Sequence, residues 1–431
     1  MSSPEVFLSL GEWQTLGPGL GSKLNGVFLS QEREVQELAS RLTNSKMLQI
    51  LELSKGLEIK ATSYVGRIRL GNVQVTIHPK ISGAPLLNLL RYAYGLRNLK
   101  LFPLVGYAAQ EMSLDDLLIH QLQVEASELL ARGLNRRYIR VAEELSSPRG
   151  KIDVQRLART GNPGLGTLPC VHYLRLEDSH LNRVLLAGLM LSAQLTSNLE
   201  LRTGLRRLIK TLRENVSKIR LDHHALTKVN RAMDRLTAAY KPSINIIEML
   251  LDGEGVSISD AEQEIVLPGF LFDMNKFFQA LLSRLLRENL RGYIVEDEYN
   301  LSSMMSYMPN FNPQKRKAPK LRPDFMVFKG TNPIAVLDAK YRDLWEKPLP
   351  REMLYQLSIY ALNHESRGRA TILYPTINNN AKEARLEIRD PIDGNSRAQV
   401  ILRPVNLIYL ERLINMDDAD KRRSYTERLA F

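Results

Sequence analysis

The sequence has a single cysteine, Cys170, among its 431 residues. An intramolecular disulfide is therefore impossible, and a reducing compartment fits. A lone cysteine without a recognisable His and Asn setting reads as a small core residue rather than a nucleophile. No run of about 18 apolar residues occurs, so no membrane-spanning helix is expected. The N-terminus lacks a basic region followed by an apolar core, so a secretory signal is not expected and a cytoplasmic location is. Histidines number only 7, and the pair His223-His224 is adjacent rather than at metal-ligand spacing. No internal repeat, low-complexity tract or heptad run stands out. The Gly17–Lys23 stretch is Gly-rich but lacks the Gly-Lys-Ser/Thr ending of a phosphate loop. It reads as a flexible turn, and no nucleotide is expected to bind this chain itself.

What is present is an ordinary globular composition, 44% hydrophobic and 25% charged, with an excess of positive charge. The length suggests two or three domains. The net charge is +12, and it is unevenly placed. Residues 131–240 hold 20 Lys and Arg against 9 Asp and Glu, nearly the whole excess. A polyanion such as double-stranded DNA is the natural partner, because each phosphate contact releases counterions. The alternative is a set of solvated helix faces.

Patterning divides the chain into three. Residues 1–130 mix strands and helices. Tyr64 to Ile77 alternates apolar and polar residues around Gly71-Asn72, which predicts a hairpin, and Pro79 closes its second strand. Leu86–Tyr94 reads as a helix. Residues 131–255 read as helical: Leu185, Leu186, Leu189 and Met190 recur at helical spacing, as do Leu205, Leu208, Ile209 and Leu212. The polar face of the second set carries Arg206, Arg207, Lys210 and Arg213. Asp252-Gly253-Glu254-Gly255 looks like a linker. In residues 256–431, Asp273 is an expected N-cap for a helix ending before Gly292. Irregular sequence with a basic run follows, Lys315, Arg316, Lys317, Lys320 and Arg322. Strands are expected at Asp324–Phe328 and Ile334–Asp338, a helix from Pro350 to His364, and a strand at Ala370–Tyr374 ended by Pro375. The order predicts an α/β layer domain. The whole is expected to be multidomain: a mixed α+β N-terminal region, a helical middle segment and an α/β C-terminal domain.

The chemistry is concentrated in that last part. Pro323-Asp324 opens one strand, and Asp338-Ala339-Lys340 closes the next. Alternation puts Asp338 and Lys340 on one face of their strand. Val336 and Leu337 give the strand a core-like character, so a charge at its exit must be solvated, paired or bound to metal. Two carboxylates suit Mg²⁺, with Mn²⁺ as an option; it takes oxygen ligands and keeps several waters. A metal held there would oppose charge developing on a phosphodiester, while Lys340 could orient water or stabilise the transition state. Gln356 and Tyr360, four apart on the next helix, can face the same site.

These residues resemble the PD-(D/E)XK nuclease motif, and the wider chain resembles the McrC family, the nuclease subunit of McrBC-type restriction systems. Gly66–Gly71 with Ile77–Ile81 is similar to that family's N-terminal hairpin block, and Leu89–Tyr94 to the helix after it. Gly133–Tyr138, Arg149–Asp153 and Leu181–Arg183 are similar to its middle motifs, and Asp273–Phe277 to the segment preceding the nuclease core. The resemblance implies an McrB-like AAA+ GTPase ring as partner, stimulated by this subunit and recognising modified DNA. It implies that the N-terminal region engages the ring, with Arg67, Arg69, Asn72, His78 and Lys80 as candidate contacts. A fragment ending near residue 250 is then expected to bind the ring and stimulate it without cutting DNA. The resemblance also implies a PD-(D/E)XK-type nuclease domain outside the ring, through which the chain could self-associate. The helix before the strands usually carries a Glu at the metal site; Gln279 stands there. An amide oxygen can coordinate but brings no charge.

The expectation is therefore a Mg²⁺-dependent endonuclease subunit with Asp324, Asp338, Lys340, Gln356 and Tyr360 as catalytic candidates. Asp324, Asp338 and Gln279 are the metal candidates, and the two basic groups, Lys315–Arg322 and Arg206, Arg207 and Lys210, the DNA-binding ones. The alternatives are a regulatory subunit with a weakened nuclease, which Gln279 favours, and a non-catalytic DNA-binding module, which the basic middle segment favours.

Overall fold

The computed structural model describes residues 5–29, 32–96, 113–160, 166–254, 269–301, 305–308, 310–363, 366–416 and 418–431. The chain forms two compact units, one of residues 1–113 and 257–431 and one of residues 114–256. This differs from the three consecutive segments expected, because the two ends of the sequence share one unit and the middle is inserted between them.

The N-terminal part of the first unit contains β1 (Val6–Gly11), β2 (Thr15–Leu16), α1 (Arg33–Asn44), β3 (Leu48–Leu53), β4 (Gly56–Ala61), β5 (Tyr64–Leu70), β6 (Val73–His78) and α2 (Gly83–Tyr94). The expected hairpin is β5–β6, with Gly71 at φ +59 in its turn, a conformation cheap only for glycine. β1 adds to β6 in parallel, and β2, β4 and β3 make a second small sheet.

The second unit contains α3 (Leu114–Arg132), β7 (Arg137–Leu145), β8 (Lys151–Ile152), α4 (Val154–Thr160), β9 (Leu168–Leu176), α5 (His180–Leu195), α6 (Leu199–Arg213), α7 (His223–Ala232) and α8 (Lys241–Glu254). Its helices pack through the expected stripes: Leu185, Leu186 and Leu189 of α5 and Leu205, Ile209 and Leu212 of α6 are buried. Ser179, Asn198 and Asp222 cap α5, α6 and α7 with side-chain oxygens on free backbone N–H groups. Asn182 is buried: its amide donates to the carbonyls of Asn135 and Glu177 and accepts from Tyr240 Oη at 2.7 Å. Asn182 thus ties one end of the β7–β9 pair, where β7 begins and β9 finishes, to a helix. Two expectations fail here. The segment is not all helix, since β7, β9 and β8 form a three-stranded sheet. Asp252, Gly253 and Glu254 are the last turn of α8 rather than a linker, while Gly255 lies outside the described residues.

The first unit resumes with β10 (Gly269–Asp273), α9 (Met274–Asn289), β11 (Ile294–Asp297), β12 (Phe325–Lys329), β13 (Asn332–Ala339), α10 (Arg351–Leu362), β14 (Arg369–Thr376), β15 (Ala384–Arg389), β16 (Ser396–Asn406), α11 (Leu407–Asn415) and α12 (Ala419–Ala430). β10 pairs antiparallel with β5, completing a four-stranded sheet with the N-terminal strands. Gly66 makes this pairing possible: a Cβ there would lie 2.2 Å from the carbonyl oxygen of Phe270. β11 to β16 form a six-stranded mixed sheet in the order β11-β12-β13-β14-β16-β15. Met326, Val336, Ile372 and Val400 from four of its strands meet Leu357 and Tyr360 of α10 in one core. Asp273 caps α9 as expected, its side chain accepting from Asn275 N. Pro350 is the N-cap of α10, which ends at Leu362; His364 lies outside the described residues. Pro375 does not end its strand. β14 runs to Thr376 beside β16, past the end of its pairing with β13 at Leu373, where proline's missing N–H loses no bond on the open edge. Among the described residues no helix is long and apolar enough to cross a membrane.

Candidate active site

Asp324 sits just before β12, and Asp338 and Lys340 at the end of β13, the strand beside it. Phe325, Met326 and Val327 are fully buried, as are Val336 and Leu337, so both carboxylates are delivered to the rim of the core by apolar strands. Asp338 is 1% exposed. Its one close counter-charge is Lys340, whose Nζ lies 2.8 Å from Asp338 Oδ2 and 4.0 Å from Asp324 Oδ2. Oδ2 of Asp324 accepts from the backbone N–H of Ala339 at 2.7 Å, and Oδ1 from Gln279 Nε2 at 3.2 Å.

Burial dominates the electrostatics. It pushes the Asp324 carboxyl up to about 7, helped by the charge of Asp338 and opposed by Lys340 and the Ala339 N–H. Burial also raises Asp338, against the pull of Lys340. Burial alone would discharge Lys340, but the two carboxylates outweigh it and hold the ammonium above its ordinary range. Two acids crowded beside one lysine are hard to ionise together without a further positive charge, which a bound cation would supply. The chemistry of the donor set suits a hard divalent ion, with Asp324 and Asp338 as the protein ligands and water filling the other positions. Among the described residues no third Asp, Glu, His or Cys converges with them.

Gln356 and Tyr360 are placed one step back. Gln356 Nε2 donates to Tyr360 Oη at 2.7 Å, and that hydroxyl donates to the carbonyl of Arg322 at 3.0 Å. The pair therefore fixes the chain just ahead of Pro323-Asp324. Gln279 faces the site from α9, with its amide nitrogen toward Asp324. It also lines a cleft of about 720 Å³ with Lys276, Arg287, Asp297 and Glu298. Glu298 N donates to the Asp324 carbonyl at 3.0 Å, and its charge adds to the rise of the Asp324 carboxyl.

The basic run at Lys315, Arg316, Lys317, Lys320 and Arg322 is exposed and leads into Asp324. Arg206, Arg207 and Lys210 are exposed on α6, in the second unit. Among the N-terminal candidates, Arg69 is exposed with Glu5 at 2.5 Å, and His78 is exposed. Arg67 and Asn72 are half-buried. Lys80 is turned inward, its Nζ 3.4 Å from Oδ2 of the buried Asp343. Cys170 is buried in β9, and His223 and His224 are exposed.

Sequence reasoning missed a second buried polar cluster next to the site. Tyr341, the residue after Lys340, is fully buried and donates to Glu12 Oε1 at 2.9 Å. That same oxygen accepts from Lys80 N, and Lys347 Nζ donates to the Trp13 carbonyl at 3.3 Å. Arg342 lies over the Trp13 ring, 5.5 Å from its centroid. Only the mixing of aromatic and charged residues in Lys340–Lys347 hinted at it.

A family model described as McrBC 5-methylcytosine restriction system component matches residues 59–375. No curated protein matches the chain. Among solved structures, one similar chain belongs to a refined half-complex from the tetradecameric assembly of Thermococcus gammatolerans McrB AAA+ hexamers with bound McrC. It is 20% identical, with a TM-score of 0.63, over 98% of this chain and 99% of that one. Another belongs to the cryo-EM structure of the Thermococcus gammatolerans McrBC complex, at 22% identity and a TM-score of 0.48 over 66% of this chain and 88% of that one.

Proposed function

The chain belongs to the family of McrBC 5-methylcytosine restriction system components, and from that premise we propose that it is the Mg²⁺-dependent endonuclease subunit of such a system, acting on modified double-stranded DNA. The observation that carries this reading is the buried Asp338 carboxylate, paired with Lys340 at 2.8 Å beside Asp324. A structural ion pair does not need a second acid held beside it at the rim of the core. A metal-dependent phosphodiesterase does, because its acids must hold a divalent cation.

The geometry supports a division of labour. Asp324 and Asp338 would hold the ion, which supplies Lewis acidity toward the scissile phosphate. Lys340 presents an ammonium between the two acids, where it can hydrogen-bond an attacking water or offset charge on the phosphoryl oxygens in the transition state. Ala339 N and Gln279 Nε2 fix the two oxygens of Asp324. Tyr360 and Gln356 hold the backbone that presents it. The domain is of the PD-(D/E)XK type in this reading. A McrB-like AAA+ GTPase ring is the partner, as the Thermococcus gammatolerans McrC is bound to McrB hexamers.

One observation favours a second reading. Gln279 adds no charge to the site, so metal affinity is lower than a carboxylate there would give, and the chain could act mainly by stimulating the GTPase. The test is the full-length chain with its AAA+ partner, GTP, Mg²⁺ and duplex DNA containing 5-methylcytosine. The expected result is cleavage that Asp338→Asn abolishes. Stimulated GTP turnover with no cleavage by the wild-type chain would replace the first reading by the second.

A further inference from the structure

Between β11 and β12 the chain leaves the sheet and returns to it at the catalytic aspartate. The base of this excursion is closed by an antiparallel bridge between Leu301 and Leu321, with Leu301 N donating to the Leu321 carbonyl at 2.9 Å. Leu301 is buried in the core of the six-stranded sheet, and Leu321 packs against that core. The returning limb is fixed again at Arg322, whose carbonyl accepts from Tyr360. The far part is also built. Asn312 clasps Arg316 with two side-chain hydrogen bonds of 2.8 Å, donating to its carbonyl and accepting from its N–H. Phe311 N donates to the Met308 carbonyl, closing a tight turn.

That turn presents apolar side chains to water. Met308 is 71% exposed and Phe311 74%. Immediately after them come the exposed cations Lys315, Arg316, Lys317 and Lys320. Isolated exposed hydrophobics need no explanation, but an aromatic and a methionine together on a fixed turn, followed by four cations, are a wedge with a phosphate-binding flank. The charge selects the occupant, because a polyanion is required opposite the lysines. Apolar side chains that sit beside phosphate contacts can enter the base-pair stack as wedges, the largest apolar surface a duplex offers.

We propose that this protrusion engages the DNA duplex beside the cleavage site, with Met308 and Phe311 inserted at a base step and Lys315–Lys320 on the flanking phosphates. This rests on the reading of Asp324, Asp338 and Lys340 as a nuclease site. Insertion unstacks the step and bends the duplex, and the fixed base of the protrusion sets the distance from the inserted step to the scissile phosphate. The tip is then a positioning element: it selects where along the strand the cut falls.

The experiment uses the full-length chain and duplex oligonucleotides carrying 2-aminopurine at successive positions, with Ca²⁺ in place of Mg²⁺ for the binding measurements. Wild-type protein is expected to raise 2-aminopurine emission at one or two adjacent positions. Met308→Ala with Phe311→Ala should abolish the rise and weaken binding by roughly tenfold, the scale set by removing one base–aromatic stack. Phe311→Trp should restore the rise. Lys315→Glu with Lys317→Glu should weaken binding to every position alike and flatten its salt dependence. Cleavage by the wild-type chain is read separately in Mg²⁺: an emission change without cleavage fails the nuclease reading alone, and cleavage without an emission change fails this one alone. No emission change with wild-type protein, or an unchanged signal and cut position in the Met308→Ala, Phe311→Ala protein, overturns the proposal. Loss of AAA+ partner binding in that variant, with DNA binding intact, would overturn it in favour of a protein interface.

Discussion

The Tyr341 hydroxyl donates a 2.9 Å hydrogen bond to Glu12, joining positions 329 residues apart and placing an N-terminal carboxylate one residue from Lys340. Burial pushes Glu12 up to about 7, while Tyr341, the Lys80 N–H and the Lys80 and Lys347 cations pull it down. A carboxyl raised from 4.5 in the unfolded chain to about 7 in the fold binds more protons when folded. Its contribution is therefore full below about pH 4.5 and is lost as pH rises through about 7. Glu12→Gln keeps an acceptor for Tyr341 and removes the buried charge. We expect it to raise the melting temperature at pH 8, by the equivalent of about 1–3 kcal/mol, and to change little at pH 5. Tyr341→Phe should do the opposite, destabilising by about 1–3 kcal/mol because Glu12 loses its donor. Thermal melts of both variants between pH 5 and 8 decide this; an equal effect of Glu12→Gln at both ends would show that its charge is not what matters.

At the candidate site, Asp338→Asn and Lys340→Ala separate chemistry from folding. Either substitution is expected to reduce Mg²⁺-dependent cleavage by at least about 10²-fold, the scale for losing one pre-organised transition-state group. Their stabilities should diverge. Asp338→Asn removes a buried charge, whereas Lys340→Ala strands two buried acids and should lower the melting temperature at pH 8. Adding Mg²⁺ should raise the melting temperature of the wild-type chain, and EDTA should reverse it, since an ion bound only by the folded state stabilises by mass action. An equal Mg²⁺ response in the Asp338→Asn protein would place the ion elsewhere.

Residues 131–240 hold 20 Lys and Arg against 9 Asp and Glu, and α6 displays Arg206, Arg207 and Lys210 on its exposed face. DNA affinity should fall steeply with salt and depend little on base sequence, because phosphate contacts read no bases directly. Reversing all three to Glu should weaken binding at low salt. It should also lower the salt slope by about 0.9 for each phosphate that α6 no longer neutralises. Identical titration curves for the wild type and the triple variant would mean that α6 faces only solvent.

Local physics explains which features could be read from the sequence. The β5–β6 hairpin was legible because one face is buried, so its alternation is clean, and Gly71-Asn72 marks the turn. The Asp324, Asp338 and Lys340 cluster was legible because its members lie on adjacent strand ends joined by a short hairpin. β7 was not, since most of Arg137–Leu145 is exposed on both faces and no alternation is imposed. The linker expectation failed at Asp252, Gly253 and Glu254 because glycine and charge are tolerated in the last turn of a helix. The Glu12, Lys80, Tyr341 and Asp343 contacts cross from one end of the chain to the other. No local pattern specifies which buried partner each will find, so Lys80 looked like a surface contact until its partner Asp343 was placed.

The expectation that a fragment ending near residue 250 would fold and serve the motor partner alone does not survive the sheet topology. Such a fragment lacks β10, leaving the edge of β5 unpaired, and lacks α9, which packs on α2 and donates from Arg284 to the Tyr92 carbonyl. It also lacks Tyr341 and Asp343, so Glu12 and Lys80 lose their buried partners. The N-terminal strands and the six-stranded sheet are parts of one compact unit, while residues 114–256 form their own. Compact units with their own cores can usually fold alone, and segments of a shared core cannot. Residues 114–256 are therefore expected to express as a soluble, cooperatively melting fragment, and residues 1–250 as an aggregating one in which only the inserted unit is protected. Limited proteolysis of the 1–250 fragment should leave a core near residues 114–250, and hydrogen exchange should show β5 and β6 unprotected. Protection of β5 and β6 in that fragment at the level of the full chain would show that β10 and α9 are dispensable. The N-terminal block would then be an independent module after all.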